Sequence, residues 1–321
     1  MTEAGWGLIG DIGATNARFA LVGPDGKSAA ARFYALSDHE SLSDAIAAYL
    51  IETMREAARP VRAVLAVASP VTDDQVTLTN HPWTFSIESV RQQFHLERLL
   101  VINDFAANAA ALPHLETKDC IQIGGGAPVA NAPIGIIGPG SGLGVAGLLK
   151  SAPGAITLSG EGGHATMAPA TARESAILDL MRKRYDHVSA ERVLSGPGLV
   201  NLYNVLCEIA GRPAAPYTAE QITSPSIWGE DPYAQETTAI FCAMLGTVAG
   251  NLALTLGARG GIYVAGGILP HMASFCAQSE FRSRFEAKGR LRSYMAAIPT
   301  YLIVQPLLGL IGANALLSEL R

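Results

Sequence analysis

Gly10-Asp11-Ile12-Gly13-Ala14-Thr15-Asn16-Ala17-Arg18 decides how this chain folds. Leu8 and Ile9 precede the stretch and Phe19 to Val22 follow it, so it reads as strand, tight turn, strand. Glycine lets a backbone turn sharply and come close to a ligand. Two further glycine-rich turns follow apolar runs. Gly138-Pro139-Gly140-Ser141-Gly142-Leu143-Gly144 comes after Pro133 to Ile137, and Ala265-Gly266-Gly267 after Gly261 to Val264. Successive exposed N–H groups in such turns form anion-binding nests. Three of them suggest a polyphosphate held from more than one side.

The hairpin reading separates the candidate nucleotide folds. A Walker loop needs G-x-x-x-x-G-K-[ST]. Gly26-Lys27-Ser28 supplies its end, but Leu21 stands where the first glycine belongs. The dinucleotide spacing G-x-G-x-x-G occurs at Gly142, Gly144 and Gly147, yet Pro153 and Gly154 arrive where a helix should run. A second match at Gly5, Gly7 and Gly10 has no strand before it.

Composition bounds the rest. With 321 residues the chain has room for two domains. Apolar residues are 49% of it, enough for a sizeable core. The net charge of −5 and the lack of a basic block argue against a nucleic-acid partner. An anionic substrate must then be met by local side chains, backbone amides and a metal ion. Cys120, Cys207, Cys242 and Cys276 show neither C-x-x-C spacing nor clustered histidines, so they read as reduced thiols of a cytoplasmic protein. Thr2 to Gly7 lack the basic start and apolar core of a signal peptide. Thr237 to Ala258 is uncharged, and Gly246-x-x-x-Gly250 imitates a membrane helix-dimer motif. Asn251, several threonines and the missing basic flank favour a helix buried in a protein core, with no membrane partner.

Asp-x-Gly-x-Thr-Asn-x-Arg before a strand resembles the first phosphate motif of the sugar-kinase, heat-shock ATPase and actin superfamily. Gly-Pro-Gly-Ser-Gly-Leu-Gly resembles its second phosphate motif, and Ala-Gly-Gly its adenosine motif. More narrowly, almost the whole chain resembles the bacterial glucokinase family. The matching segments are Leu78 to Trp83, Asn103-Asp104-Phe105, Glu161-Gly162-Gly163-His164, Glu191 to Leu199, Phe281 to Gly289 and Pro299 to Val304.

The resemblance implies an α/β, two-domain ribonuclease-H-like (actin-like ATPase) fold. A cleft would lie between a small α/β domain, residues 1–104 plus about 307–321, and a larger α+β domain, residues 105–306. The pattern agrees along the chain. Strands are expected at Trp6 to Ile9, Arg18 to Val22 and Arg32 to Ala35. Leu42, Ile46, Tyr49-Leu50 and Met54 have helical spacing, ended by Pro60. Strands at Val61 to Ala68 and Leu99 to Ile102 complete an order β, β, β, α, β, α, β. Phe105 to Leu112 reads as helix. Ser195 is a candidate cap for a helix that Pro197 begins and Gly211 ends. Ala214 to Asp231 reads as a surface excursion. Strands at Gly261 to Ala265 and Tyr301 to Val304, and a helix from Gly309 to Leu320, close the chain. No internal repeat is visible.

Asp104 follows an apolar strand, where α/β sheets place ligand-facing groups, and would otherwise read as the cap of the helix at Phe105. The family resemblance implies that Asp104 is the catalytic base toward the sugar 6-hydroxyl, with Asn103, Glu161, His164 and Glu191 on other hydroxyls. It places ATP on Gly10, Asp11, Ile12, Gly13, Ala14, Thr15, Asn16, Gly140, Ser141, Gly142, Gly266 and Gly267, and Mg²⁺ on Asp11 through water. It implies ATP-dependent phosphorylation of D-glucose by a homodimer. Ala14 replaces the glycine usual in the first loop and Ser141 the usual threonine in the second. The methyl of Ala14 would cost if that residue needs positive φ. A sugar-binding regulator is disfavoured, because the first strand begins too near residue 1 for a DNA-binding helix pair to precede it.

Overall fold

A computed structural model describes residues 5–53, 59–151 and 154–320. Thr2 to Ala4, Met54 and Pro153, used in the sequence reading, lie outside them. The chain divides into two compact units, Met1–Leu115 with Gln305–Arg321, and Glu116–Val304.

The first unit holds β1 (Gly7–Ile12), β2 (Asn16–Val22), β3 (Ser28–Ala35), β4 (Arg62–Val67), a β5 (Gln75–Thr77) and β6 (Thr84–Ser86) ribbon, and β7 (Arg98–Asn103). Its sheet runs β3-β2-β1-β4-β7, with β1, β4 and β7 parallel and β2 and β3 antiparallel. This is the ribonuclease-H-like order. Strand residues alternate between two apolar layers, as a period of two requires. Leu8, Phe19, Leu21 and Leu65 meet Leu42, Ile46 and Tyr49 of the Leu42–Thr53 helix. Ile9, Ala20, Val22 and Val64 meet Leu310, Ala313 and Leu317 of the Leu308–Glu319 helix.

The helix after β7, Asp104–Ala111, packs on the Leu308–Glu319 helix. At the crossing a Cβ on Gly312 would stand 1.8 Å from the Ala107 carbonyl oxygen, so only glycine lets the backbones approach this closely. That packing ties the helix to the first unit, and the division falls after Leu115 rather than at 104.

The second unit holds β8 (Cys120–Gly124), β9 (Ile134–Pro139), β10 (Leu143–Ser151), β11 (Gly154–Gly160), β12 (Ile262–Val264) and β13 (Thr300–Ile303). Its sheet runs β11-β10-β9-β12-β13-β8. β9, β12 and β13 are parallel, and β10 and β11 antiparallel, so five strands repeat the order of the first sheet and β8 is an addition. The core gathers on the Gly196–Ile209 and Pro232–Leu256 helices.

The latter is the uncharged run, long and apolar enough to cross a membrane by composition. Its small residues serve packing within the unit. A Cβ on Gly246 would stand 2.1 Å from the Phe281 carbonyl oxygen, and one on Gly250 2.7 Å from that of Phe285. The region 214–231 is more ordered than a surface excursion. It forms short helices at Ala219–Ile222 and Pro225–Trp228, buries Ile222, and ends on buried Asp231, which accepts from Tyr203 Oη at 2.5 Å.

Candidate active site

In the first unit β1, β4 and β7 finish together, with Ile12, Val67 and Asn103 in one row. Groups at the carboxyl ends of parallel strands face the ligand side of such sheets. The first loop turns here: the Gly13 N–H donates to the Asn16 carbonyl at 2.9 Å, and Thr15 and Asn16 are exposed. Ala14 is absent from the positive-φ residues, so its methyl costs no backbone strain. Gly10 lies within β1, where a Cβ would press Leu65 at 2.7 Å, and the Ile12 side chain is core.

Asp11 stands opposite Arg18 across the hairpin, and Arg18 Nη1 donates to Asp11 Oδ2 at 2.9 Å. Burial pushes the Asp11 carboxyl up, and the Arg18 charge and hydrogen bond pull it back. The carboxylate lies against the first turn of the Leu308–Glu319 helix. A Cβ on Gly309 would be 2.6 Å from Asp11 Cγ and 2.8 Å from both oxygens. The positive end of a helix favours an anion there.

Asn103 caps the next helix. Its Oδ1 accepts from Phe105 N at 2.9 Å and Ala106 N at 3.3 Å. The capping role that Asp104 offered therefore falls on Asn103, and Asp104 is the first helical residue. Asn103 Nδ2 reaches the Ser69 carbonyl at 3.4 Å. Ser69 is buried, and its Oγ accepts the Thr79 N–H at 2.7 Å, which ties the Leu78 to Trp83 segment to Asn103. A cavity of about 490 Å³ in this unit, lined by Arg62, His114 and Asn314 among others, lies at the opposite sheet end.

In the second unit the second loop is also a hairpin, joining antiparallel β9 and β10 with Pro139 opposite Leu143. Gly140 N–H closes it on the Gly142 carbonyl at 2.8 Å, and Ser141 is exposed at its tip. Three segments abut it. Gly266, at φ 95°, follows β12, and a Cβ there would be 2.1 Å from the Pro139 carbonyl oxygen. Gly267 faces open space. The Gly196 N–H donates to the Gly140 carbonyl at 2.8 Å, beside Ser195, which caps the Gly196–Ile209 helix. Glu191 Oε2 accepts the Leu143 N–H at 2.9 Å. Glu161, which precedes a 3-10 turn, and His164, its last residue, are exposed, while Gly163 between them is buried against Leu143.

The segments at Gly266, Glu161 to His164 and Glu191 to Gly196 thus gather around the second loop in this unit, and Asp11, Asn103 and Asp104 gather at one sheet end of the other. Arg18, Ser69 and Gly309 were not singled out from sequence. Arg18 ends the motif itself and so carried a signal; Ser69 and Gly309 carried none.

The glucokinase family model matches residues 8–320. The glucokinase of Paramagnetospirillum magneticum is 50% identical over 313 residues, 97% of each chain. That of Aromatoleum aromaticum is 47% identical over 319 residues, 97% of this chain and 96% of its own. The crystal structure of a glucokinase from an Antarctic psychrotroph, 39% identical, superposes with a TM-score of 0.86 over 98% of this chain and 99% of its own. Similarity of this extent means that the chain belongs to the glucokinase family.

Proposed function

We propose how this chain carries out the ATP-dependent phosphorylation of D-glucose that its family membership gives it. Asp104 accepts the proton of the sugar 6-hydroxyl. The freed oxygen attacks the γ-phosphorus in line, its bond to phosphorus forms, and the bond to the ADP oxygen breaks. ADP and glucose 6-phosphate leave, and no phospho-enzyme forms. Asn103 Nδ2, Glu161, His164 and Glu191 hold the other hydroxyls, as an acceptor-rich sugar site requires.

The hairpin at Gly13 to Asn16 and the one at Gly140 to Gly142 offer backbone N–H groups to the phosphates. Gly267, which faces open space beside Gly266, leaves room for adenosine. The donor set suits magnesium that arrives with ATP. Among the described residues no group of three or more His, Cys, Asp or Glu converges into a cation cage. One carboxylate, Asp11, stands beside the first loop, and Mg²⁺ is commonly held by a carboxylate or two with water and substrate phosphates. Asp11 would hold it through water, and the ion would neutralise phosphate charge. A cytoplasmic homodimer completes the reading, on family resemblance alone.

The observation that carries this reading is full-length kinship with glucokinases, combined with two phosphate-type hairpins built alike. A coupled ADP-release assay with Mg·ATP over glucose, mannose, fructose, galactose and N-acetylglucosamine tests it. Strong turnover on glucose is expected. Preference for another sugar would move the specificity, and no turnover on any would overturn the reading.

A further inference from the structure

Glu191, assigned to the sugar, and the turn between Glu161 and His164 meet at one residue of the second loop. The Leu143 N–H donates to Glu191 Oε2 at 2.9 Å, and the Leu143 carbonyl faces Gly163, where a Cβ would stand 2.0 Å from its oxygen. Gly142 makes room for the carboxylate, since a Cβ there would be 2.4 Å from Glu191 Oε2. The segment from Glu191 also grips the loop at its other end. Ser195 Oγ donates to the Glu191 carbonyl at 2.8 Å, and the Gly196 N–H donates to the Gly140 carbonyl at 2.8 Å. The loop of Gly140, Ser141 and Gly142 is therefore held on both sides by residues 191–196.

We propose that Glu191 is a positioning residue as well as a sugar ligand, and that it couples sugar occupancy to nucleotide binding through the Leu143 N–H. This rests on the functional reading above. One carboxylate oxygen anchors the loop, leaving Oε1 to meet a sugar hydroxyl. A bound sugar fixes the carboxylate, the fixed carboxylate fixes Leu143, and the loop amides are ordered before the phosphates arrive. The nucleotide then spends less of its binding energy on ordering. Linkage makes the effect reciprocal, so nucleotide tightens sugar by the same factor.

The test is calorimetric titration of the full-length protein with a non-hydrolysable Mg·ATP analogue, with and without saturating glucose, and the converse titration. The wild-type coupling factor is expected between about 5 and 150, the usual range for such coupling. Gly142→Ala puts a methyl where Glu191 Oε2 sits, and its factor should fall to within about twofold of one. Glu191→Ala should do the same, while Glu191→Gln, which keeps an acceptor oxygen and so carries little folding risk, should retain a factor intermediate between these. Thermal melts establish that each variant is folded. A wild-type factor near one, or a factor unchanged in Gly142→Ala and Glu191→Ala, overturns the coupling. Glucose bound by Glu191→Ala as tightly as by wild type would overturn the sugar assignment itself, a separate result read from the glucose titration alone.

Discussion

At the scale of the residue, identity of side chain matters less than the space left beside it. Asp104, proposed as the general base, is the case where the chemistry of the side chain itself is at stake. Asp104→Ala should fold and bind both substrates, with kcat lower by roughly two to four powers of ten, the usual loss for a general base. Steady-state kinetics with glucose and Mg·ATP check this, and near-normal turnover would remove Asp104 from the mechanism. Gly309 is the opposite case, a residue whose missing side chain leaves room for the Asp11 carboxylate. Alanine there should gain about 1 kcal/mol of helix propensity. Its methyl would also stand 2.6 Å from Asp11 Cγ, so the carboxylate must move. Gly309→Ala should therefore raise the KM for Mg·ATP more than that for glucose, the gain in helix propensity being offset by displacement of the buried, Arg18-paired carboxylate. Equal effects on the two substrates would argue that Asp11 is only structural. The Ala14 substitution in the first loop, which threatened strain, carries none, because the turn there uses no left-handed residue.

At the scale of the element, most boundaries were legible. Apolar runs of period two marked the strands and punctuation marked the helix ends. The Ser195 cap and the Gly211 stop stand where serine and glycine chemistry put them, with Gly211 at φ 67°. The β5–β6 ribbon was not legible, because each strand has only three residues and the segment between was read for its motif. The short helices within 214–231 were hidden by prolines, which occupy first turns without breaking them: Pro225 and Pro232 both begin helices. The Gly246-x-x-x-Gly250 spacing is equally ambiguous in sequence, since close helix approach has the same signature in lipid and in a protein core. The Phe281–Glu286 helix occupies it. Gly246→Ala should cost roughly 1–3 kcal/mol through overpacking. Urea denaturation would show it as a lower midpoint at unchanged slope, and an unchanged midpoint would mean the two helices can part at little cost.

At the scale of the whole molecule, the last helix completes a unit begun three hundred residues earlier in the chain. Leu310 and Leu317 are buried on the first sheet, worth roughly 3–6 kcal/mol together. That is a large share of the 5–15 kcal/mol typical of a domain. A chain ending at Val304 should therefore lose the cooperative unfolding of its first unit, visible as fast proteolysis within residues 5–115; protection equal to wild type would mean the helix is dispensable. The reaction class was legible in the sequence through family resemblance, because the glycine-rich hairpins, Asn103-Asp104 and the glutamate segments that carry it are local strings. The order of elements along the first unit, β, β, β, α, β, α, β, was also legible and resembles the ribonuclease-H-like half, but which strands lie side by side is a matter of pairing. Tertiary structure decided the rest. The second sheet repeats the order of the first in five strands, yet the chain shows no repeat, because a sheet demands only alternation and turns, which many sequences satisfy. That Gly309 yields to Asp11 and that Glu191 holds Leu143 are facts of atoms brought together across as many as 298 positions. Such contacts depend on three-dimensional distance, which no spacing along the chain encodes.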